Sequence, residues 1–340
     1  MLTQSDVQVL QVKFGVDFQS NALISPYTSA RIGGIADGLL VANTLDDLVS
    51  MVTHLWDTDI PYIILGGGSN VLVSDSGVRG IVLLNKAREV KFDEKSDPPT
   101  VWAASGTNFG QLARQVSQRG LTGLEWAAGI PGTVGGAIVG NAGAHGSDVA
   151  GQLLMAEILH REIVDKKSKN GNSPKVMNKR EQWTIEQFQY SYRSSQIKEK
   201  HLAKKENGED PKTGWSVISQ PSIVILGALL RLAYSKRELV ESLMDKYGAY
   251  RKKTQPSGAS MGSMFKNPPG DYAGRLIEEA GLKGIRVGDA AISPLHGNFF
   301  VNYGNATATD VLDLINLSKN IVASKFGIDL ELEIELIGTW

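Results

Sequence analysis

Residues 129–146 read GIPGTVGGAIVGNAGAHG, and seven of these eighteen residues are glycine. A glycine-rich segment packs poorly by itself, because glycine has no side chain to bury and loses the most chain entropy on folding. Such a composition suits a backbone that approaches a large ligand closely. A tightly packed, turn-rich core is the alternative explanation.

Another glycine cluster, LGGGSN at residues 65–70, lies between the apolar runs Tyr62–Leu65 and Val71–Val73, which we predict to be strands. Consecutive glycines allow several backbone amides to point toward one anion. The cluster matches neither G-x-G-x-x-G nor the P-loop pattern, which would need lysine in place of Asn70. Two glycine loops that face one long, anionic, planar cofactor would account for both clusters. A tight turn is the alternative for this one.

The 340 residues include 37 glycines, no cysteine, and 35 basic against 36 acidic side chains. The absence of cysteine excludes disulfides, thiolate metal sites and cysteine nucleophiles. A formal net charge of −1 argues against nucleic acid as a partner, and no aliphatic run approaches the ~20 residues of a membrane span. The N-terminus lacks the pattern of a signal peptide. We therefore expect a soluble, cytoplasmic protein without a membrane segment.

Helical and strand patterns intermix along the chain, so the expected class is α+β. We expect three regions, at residues 1–86, 87–234 and 235–340. Two polar stretches, 165–180 and 198–215, are predicted to be solvated surface insertions in the middle region.

Helix starts are predicted from side chains that can accept a hydrogen bond from the first turn. They are Asn108, a capping box of Ser235 with Glu238, and Thr307 or Thr309. The alternation of leucine and isoleucine with glutamate predicts a last strand at Leu330–Ile337, with its glutamates on one solvated face.

At this point an ordered set of motifs can be compared with known families. The motifs are YTSARIGG (27–34), LGGGSNVLVSD (65–75), the glycine segment 129–146, YSYRSS (190–195), RKKTQP (251–256), GSMFKNP (262–268), AGRLIEEAGLKG (273–284) and FGIDLELEIELIG (326–338). In this order they resemble the UDP-N-acetylenolpyruvoylglucosamine reductase (MurB) family over roughly residues 25–338. The resemblance implies a two-part FAD-binding fold of the vanillyl-alcohol-oxidase (PCMH) type, followed by a C-terminal α+β substrate domain.

The resemblance also implies an activity. Members of the family use NADPH to reduce FAD, and the flavin then reduces the enolpyruvyl ether of UDP-N-acetylglucosamine to UDP-N-acetylmuramate, a peptidoglycan precursor. The expected partners are therefore the UDP-sugar enolpyruvyl ether and NADPH, with no obligatory protein partner.

Three residues match the family's catalytic positions: Arg193, Ser263 and Glu333. A guanidinium suits the carboxylate and the negative charge that develops on the substrate. Ser263 matches the proton donor, and Glu333 could orient Arg193 or join a proton relay. Without the resemblance, an arginine after tyrosine is usually a surface or structural residue, and a serine after glycine is usually a turn residue. Glu333 would then be one of three solvated glutamates.

For FAD, the resemblance places the first glycine cluster at the pyrophosphate and the second along the ribityl and flavin parts. The expected contacts are Arg31, Gly66, Gly67, Gly68, Ser69, Asn70, Ile130, Pro131, Gly132, Thr133, Gly136, Asn141, Gly143 and Ala144. Expected substrate contacts are Arg251, Lys266 and Asn267. No metal site is expected, because His145 and His296 stand without a ligand cluster.

The chain departs from the family pattern in three places. Only one helix is predicted between Tyr234 and Arg251, which makes the chain resemble the type II members. Glu335 stands where an arginine is common, and Asp289 where a glycine is usual. Two other functions remain open: a flavin-dependent oxidase or dehydrogenase of another alcohol or sugar, and a non-catalytic flavin- or nucleotide-sugar-binding regulator. Because alcohol oxidation needs a base rather than a proton donor, Ser263→Ala would distinguish the first of these.

Overall fold

The computed structural model describes residues 2–165, 175–199 and 221–340. The helices are α1 (Gln4–Phe14), α2 (Leu45–Asp57), α3 (Phe109–Gln118), α4 (Val134–Val139), α5 (Ile185–Phe188), α6 (Arg237–Thr254), α7 (Ala273–Glu279) and α8 (Ala308–Phe326). A further helical segment begins at residue 196.

The strands are β1 (Phe18–Leu23), β2 (Ile35–Ala42), β3 (Tyr62–Leu65), β4 (Val71–Val73), β5 (Val78–Asn85), β6 (Val90–Asp93), β7 (Thr100–Ala104), β8 (Leu121–Thr122), β9 (Gly143–Ala144), β10 (Ser147–Asp148), β11 (Leu153–Asp165), β12 (Lys175–Thr184), β13 (Ile223–Arg231), β14 (Ala233–Tyr234), β15 (Ala259–Ser263), β16 (Arg286–Val287), β17 (Ala290–Ile292), β18 (Phe299–Asn302) and β19 (Glu335–Ile337).

The first region is a four-stranded sheet in the order β1-β2-β5-β3, with β2 and β3 both parallel to β5. Helix α2 packs on it through one apolar face that includes Leu48, Val52 and Leu55. The predicted strands Tyr62–Leu65 and Val71–Val73 are confirmed as β3 and β4. The first glycine loop, residues 66–70, therefore leaves the end of a buried strand.

The second region is an antiparallel sheet in the order β12-β11-β13-β7-β6. Helices α3 and α4 cover it, and the Asn108 side chain accepts from Gln111 N at 2.8 Å, as the predicted cap requires. Residues 175–180 of the predicted surface insertion at 165–180 pair with β11 as part of β12, and residues 177, 179 and 180 are exposed. Residues 166–174 and 200–215 of the predicted insertions lie outside the described residues.

The start of α6 differs from the prediction. Its N-cap is Lys236, and no side chain caps the helix there, so the predicted box of Ser235 with Glu238 is wrong. The Ser235 backbone amide instead donates to Gly120 O at 2.9 Å, which ties this residue to the end of α3. Met244 and Tyr247 of α6 pack against the core of the second region. The regional division at residues 86 and 234 stays a prediction, and these contacts favour a later start for the third region.

The third region is an antiparallel sheet in the order β15-β18-β17-β16, covered by α7 and α8. Thr307 caps α8 and forms a capping box with Asp310, which confirms one of the two predicted caps. The core of this region also takes in Ala30, Ile32 and Leu72 from the first region. The first and third regions therefore share one hydrophobic core.

The predicted last strand is only partly formed. Only Glu335–Ile337 is a strand, β19, and it pairs in parallel with β4 of the first region. Residues 330–334 instead lie along the segment after β15, where Glu333 N donates to Met264 O at 2.9 Å. The extended chain thus changes partners within a few residues, which breaks the regular strand although the alternation of side chains continues.

Candidate functional site

A cavity of about 980 Å³ lies where the three regions meet. Both glycine clusters line it, and so do Arg193, Ser263 and Glu333. The structure therefore brings the three predicted catalytic residues together with most of the predicted cofactor contacts.

Two glycines of the first loop are required by close backbone packing. A Cβ on Gly67 would lie 2.9 Å from Gly132 Cα, and one on Gly68 would overlap the backbone of Tyr27. Gly68 also has φ +58°, a conformation that side chains other than glycine rarely adopt. The two glycine clusters thus touch one another, so the compact-turn explanation holds for these positions.

Gly136 shows a different environment. It lies in the first turn of α4 and lines the cavity, and a Cβ there would meet only Thr133 Oγ1, at 3.8 Å. Protein packing does not require glycine at this position. The missing side chain leaves open space along the cavity wall, as the close approach of a ligand would need.

Asn141 lies beside the cavity rather than in its lining. It has φ +43°, and its side chain donates to Ser191 O at 3.1 Å and accepts from Ala150 N at 3.1 Å. Because the turn after Ser191 carries Arg193, Asn141 joins the second glycine segment to that arginine. Gly143 and Ala144, in β9, line the cavity as expected.

Arg193 occupies a strained turn. Ser191 and Ser194 exchange backbone hydrogen bonds at 3.2 Å, and Arg193 between them has φ +58°. Left-handed conformations are unfavourable for residues with a Cβ and occur mainly where the surrounding structure enforces them. The turn directs the side chain inward, where only 24% of it is exposed.

The Arg193 guanidinium pairs with Glu333 in the cavity wall. Nε lies 2.8 Å from Glu333 Oε1, although the N–H is not aligned as in a regular hydrogen bond. Burial raises the pKa of the Glu333 carboxyl, and the positive charges of Arg193, Lys198 and Lys266 partly offset that effect. The expectation of three equivalent, solvated glutamates is therefore wrong, since the Glu333 side chain is only 17% exposed and that of Glu331 is 75% exposed.

The backbone of Glu333 is held on both sides. Its amide donates to Met264 O, and its carbonyl accepts from Asn70 Nδ2 at 3.1 Å. Asn70 O in turn accepts from Glu335 N at 2.9 Å. Since Met264 directly follows Ser263, these bonds place the serine, the glutamate and the first glycine loop in one connected arrangement.

Asn298 fixes the segment that follows Ser263. Its side chain accepts from Phe265 N at 2.9 Å and donates to Phe265 O at 2.7 Å, while its own carbonyl accepts from Met264 N at 2.8 Å. Asn298 is 4% exposed, so these bonds are shielded from water. The sequence analysis missed this residue, because one asparagine before a strand carries no distinctive pattern.

Lys198 is the other residue that the sequence analysis missed. It is 8% exposed and lines the cavity, although it stands at the start of a stretch that was expected to be a solvated insertion. Its Nζ donates to Arg193 O at 3.3 Å. Its position five residues after the arginine, at the start of a helical turn, was the signal that could have placed it near the site.

At another part of the cavity wall Arg251 lies beside Gly129. Burial lowers the pKa of this guanidinium. The ordinary pKa of arginine lies far above neutral pH. The His145 ring stacks on Tyr247 at 3.9 Å between centroids. Burial and the charge of Arg251 lower the pKa of His145, which favours its neutral form.

Besides Asn141, three predicted contacts do not line the cavity. Arg31 has φ +56° and is exposed, and Lys266 Nζ pairs with Glu331 Oε2 at 3.1 Å. Asn267 Oδ1 accepts from Ala273 N at the start of α7. The ligand roles expected for these residues stay predictions.

The described ranges contain neither a metal-binding cluster nor a membrane-spanning helix. No group of three or more histidine, aspartate or glutamate side chains there is placed to hold a metal ion. None of the helices in those ranges has the length and apolar character needed to cross a membrane.

Comparison with known families gives two matches along the chain. Residues 36–167 match the FAD binding domain, and residues 254–337 match the C-terminal domain of UDP-N-acetylenolpyruvoylglucosamine reductase. The first match includes both glycine clusters, and the second includes Ser263 and Glu333.

Similar proteins extend over nearly the whole chain. The UDP-N-acetylenolpyruvoylglucosamine reductase of Chloroflexus aggregans is 38% identical over 322 residues, which cover 95% of this chain and 98% of that protein. The reductase of that name from Bacillus subtilis is 38% identical over 320 residues, 94% of this chain and 93% of that protein. The crystal structure of UDP-N-acetylenolpyruvylglucosamine reductase (MurB) from Thermus caldophilus superposes with a TM-score of 0.70 at 33% identity, covering 93% of this chain and 97% of that one.

Proposed function

The chain belongs to the UDP-N-acetylenolpyruvoylglucosamine reductase family, and from this premise we propose that it reduces the enolpyruvyl ether of UDP-N-acetylglucosamine to UDP-N-acetylmuramate with NADPH as reductant. It is a flavin-dependent oxidoreductase of peptidoglycan precursor synthesis. The observation that carries the proposal is the presence of Arg193, Glu333 and Ser263 in the same cavity as both glycine clusters.

The glycine-lined wall fits FAD. The loop at Gly66–Asn70 presents consecutive backbone groups to the cavity, as the binding of a pyrophosphate requires. Gly136 leaves space where a side chain would otherwise project. We assign the contacts with FAD to the cavity-lining residues Gly66–Asn70, Ile130–Thr133, Gly136, Gly143 and Ala144. When bound, reduced FAD supplies the hydride for the vinyl group of the substrate.

Arg193 would stabilise the negative charge that develops on the substrate. Addition of hydride to one vinyl carbon leaves charge on the other, conjugated with the carboxylate, and a fixed guanidinium opposes that charge. Glu333 holds the guanidinium from the protein side through the 2.8 Å contact. Because Glu333 is buried, the pair is screened little by water.

Ser263 would donate the proton that completes the reduction. It stands at the end of β15, and its backbone segment is fixed by the bonds of Asn298 and Glu333 to the two residues that follow. A proton donor must lie within hydrogen-bond reach of the carbon that it protonates, so a fixed backbone favours this role. Arg251, in the cavity lining, would bind the anionic diphosphate of the substrate.

Anaerobic half-reactions test the proposal. The purified protein should be yellow, NADPH should bleach the flavin absorbance, and the enolpyruvyl UDP-sugar should restore it with formation of UDP-N-acetylmuramate. A simple alcohol or UDP-N-acetylglucosamine without the enolpyruvyl group serves as the control substrate and should not restore the absorbance. A colourless protein that does not take up added FAD would contradict the proposal, as would a flavin that the enolpyruvyl substrate does not reoxidise.

A further inference from the structure

We propose that Lys198 is a positioning residue for the Arg193–Glu333 pair. Because Glu333 neutralises the charge of Arg193, the Lys198 ammonium supplies the positive charge that the pair as a unit lacks. The inference rests on the proposed function, because it concerns the binding and reduction of a substrate with a carboxylate. It assigns a role to a buried cation that the mechanism has not yet used.

The positive charges in the cavity are only partly compensated by carboxylates. The charged side chains that line it are Arg193, Lys198, Arg251, Glu333 and Glu335. Glu333 neutralises Arg193 at 2.8 Å, and Arg251 stands apart beside Gly129. Lys266, which also acts on Glu333, is itself paired with Glu331. In the part of the chain that the structure describes, no carboxylate forms an ion pair with Lys198.

A substrate carboxylate therefore meets a pair that is neutral as a unit. The further negative charge that develops during reduction is stabilised more strongly when an uncompensated cation stands near Arg193. Lys198 is 8% exposed, and at such burial an ammonium acts on its neighbours with little screening. The Lys198 charge is one of those that lower the pKa of Glu333, against the larger effect of burial.

Lys198 also holds the turn that carries Arg193. Lys198 Nζ donates to Arg193 O at 3.3 Å, so the ammonium holds the carbonyl of the residue with the left-handed backbone. The backbone of Lys198 is fixed as well. Ser195 Oγ donates to Val139 O at 2.6 Å and accepts from Lys198 N at 3.3 Å. Val139 belongs to the second glycine segment. The contact thus connects the strained turn, the lysine and the glycine-lined wall.

The experiment compares three variants of Lys198 in the flavin-loaded protein. Lys198→Met removes the charge and the donor, Lys198→Gln removes only the charge, and Lys198→Arg keeps both. The matched control is Lys325→Met, since Lys325 Nζ also donates to a backbone carbonyl, Ala280 O at 3.0 Å, but lies outside the cavity lining.

We expect Lys198→Met to lower kcat at least tenfold while the KM for the enolpyruvyl substrate changes less than threefold. Without the lysine charge the pKa of Glu333 rises, so the acidic limb of the kcat–pH profile should move to higher pH in both the Met and Gln variants. Lys198→Arg should keep the wild-type limb and most of kcat. Lys325→Met should match the wild type in both measurements.

Further measurements distinguish a failure of this inference from misfolding of a variant and from a failure of the proposed function. Thermal unfolding and flavin absorbance identify a variant that has lost its structure. If Lys198→Met does not fold, the pH profile of Lys198→Gln tests the inference instead. An unshifted acidic limb in Lys198→Gln overturns the inference, and so does wild-type kcat in a folded Lys198→Met. Failure of the wild-type protein to reduce the enolpyruvyl substrate overturns the proposed function instead.

Discussion

Arg193 Nε lies 2.8 Å from Glu333 Oε1, so a turn of the second region meets a segment of the third across the cavity. Neither partner belongs to a regular strand or helix at the contact. The pair exists because Asn141 holds the turn of Arg193, while Asn70 and Met264 hold the backbone of Glu333. Chemistry at this site therefore depends on the packing of all three regions.

Replacement of Ser263 by alanine should separate the two half-reactions. We expect NADPH to reduce the flavin at the wild-type rate, whereas reoxidation by the enolpyruvyl substrate should slow by roughly 10²–10⁴-fold, the usual contribution of a general acid. Stopped-flow absorbance measures both steps. The control is Ser257→Ala, at an exposed position outside the cavity lining. Fast reoxidation in Ser263→Ala would show that another group donates the proton to the reduced substrate.

Glu333 should control the acidic limb of the pH–rate profile. Burial raises the pKa of its carboxyl, so protonation, which breaks the charge pair with Arg193, begins at a higher pH than for an ordinary glutamate near 4.3. Loss of kcat on acidification should therefore begin above that ordinary range. Glu333→Gln should lower kcat and remove this limb, while Glu331→Gln, at an exposed side chain, should leave the limb in place. An unchanged limb in Glu333→Gln would show that another group titrates there.

Gly67→Ala should weaken FAD binding. The added methyl group would lie 2.9 Å from Gly132 Cα, so the two glycine clusters would have to separate. We expect the variant to purify with less flavin, measured as the ratio of absorbance at the flavin and protein bands. The matched control is Gly248→Ala in α6, where nothing lies within 4 Å of the added carbon. That change should stabilise the fold by about 0.4–1 kcal/mol, because it reduces the entropy of the unfolded chain. Full flavin content in Gly67→Ala would contradict the prediction.

Asn298→Ala should lower both stability and turnover. Removal of the amide leaves the buried N–H and C=O of Phe265 without their partners, at a cost of roughly 2–4 kcal/mol in the free energy of unfolding. Urea denaturation measures that change. Asn305→Ala is the control, since Asn305 is exposed and its backbone amide, which the substitution keeps, donates to Asp289. In the folded Asn298→Ala protein kcat should fall, because Ser263 loses its fixed neighbours; unchanged kcat and stability would exclude a positioning role.

Much of the local structure could be predicted from residue types. The strands on either side of the first glycine loop, the Asn108 cap of α3 and the Thr307 cap of α8 all follow from short-range preferences, and each is confirmed. The predicted capping box at Ser235 failed because the backbone of that residue bonds to Gly120, a contact between distant parts of the chain. Patterns among neighbouring residues cannot show that a distant part of the chain binds the same backbone group.

The order of motifs was enough to determine the family, the FAD-binding fold and the class of reaction, because that order is a property of the sequence and does not depend on how the regions pack. Tertiary structure alone decided the protonation behaviour of the site. Glu331 and Glu333 occur in the same alternating sequence, yet only Glu333 is buried beside Arg193, where loss of water raises the pKa of its carboxyl. Lys198 likewise reads as part of a polar stretch and becomes a buried cation only when its helical turn packs behind the Arg193 turn. Burial and the distance between charges depend on the folded chain, and those two quantities set the electrostatics of this cavity.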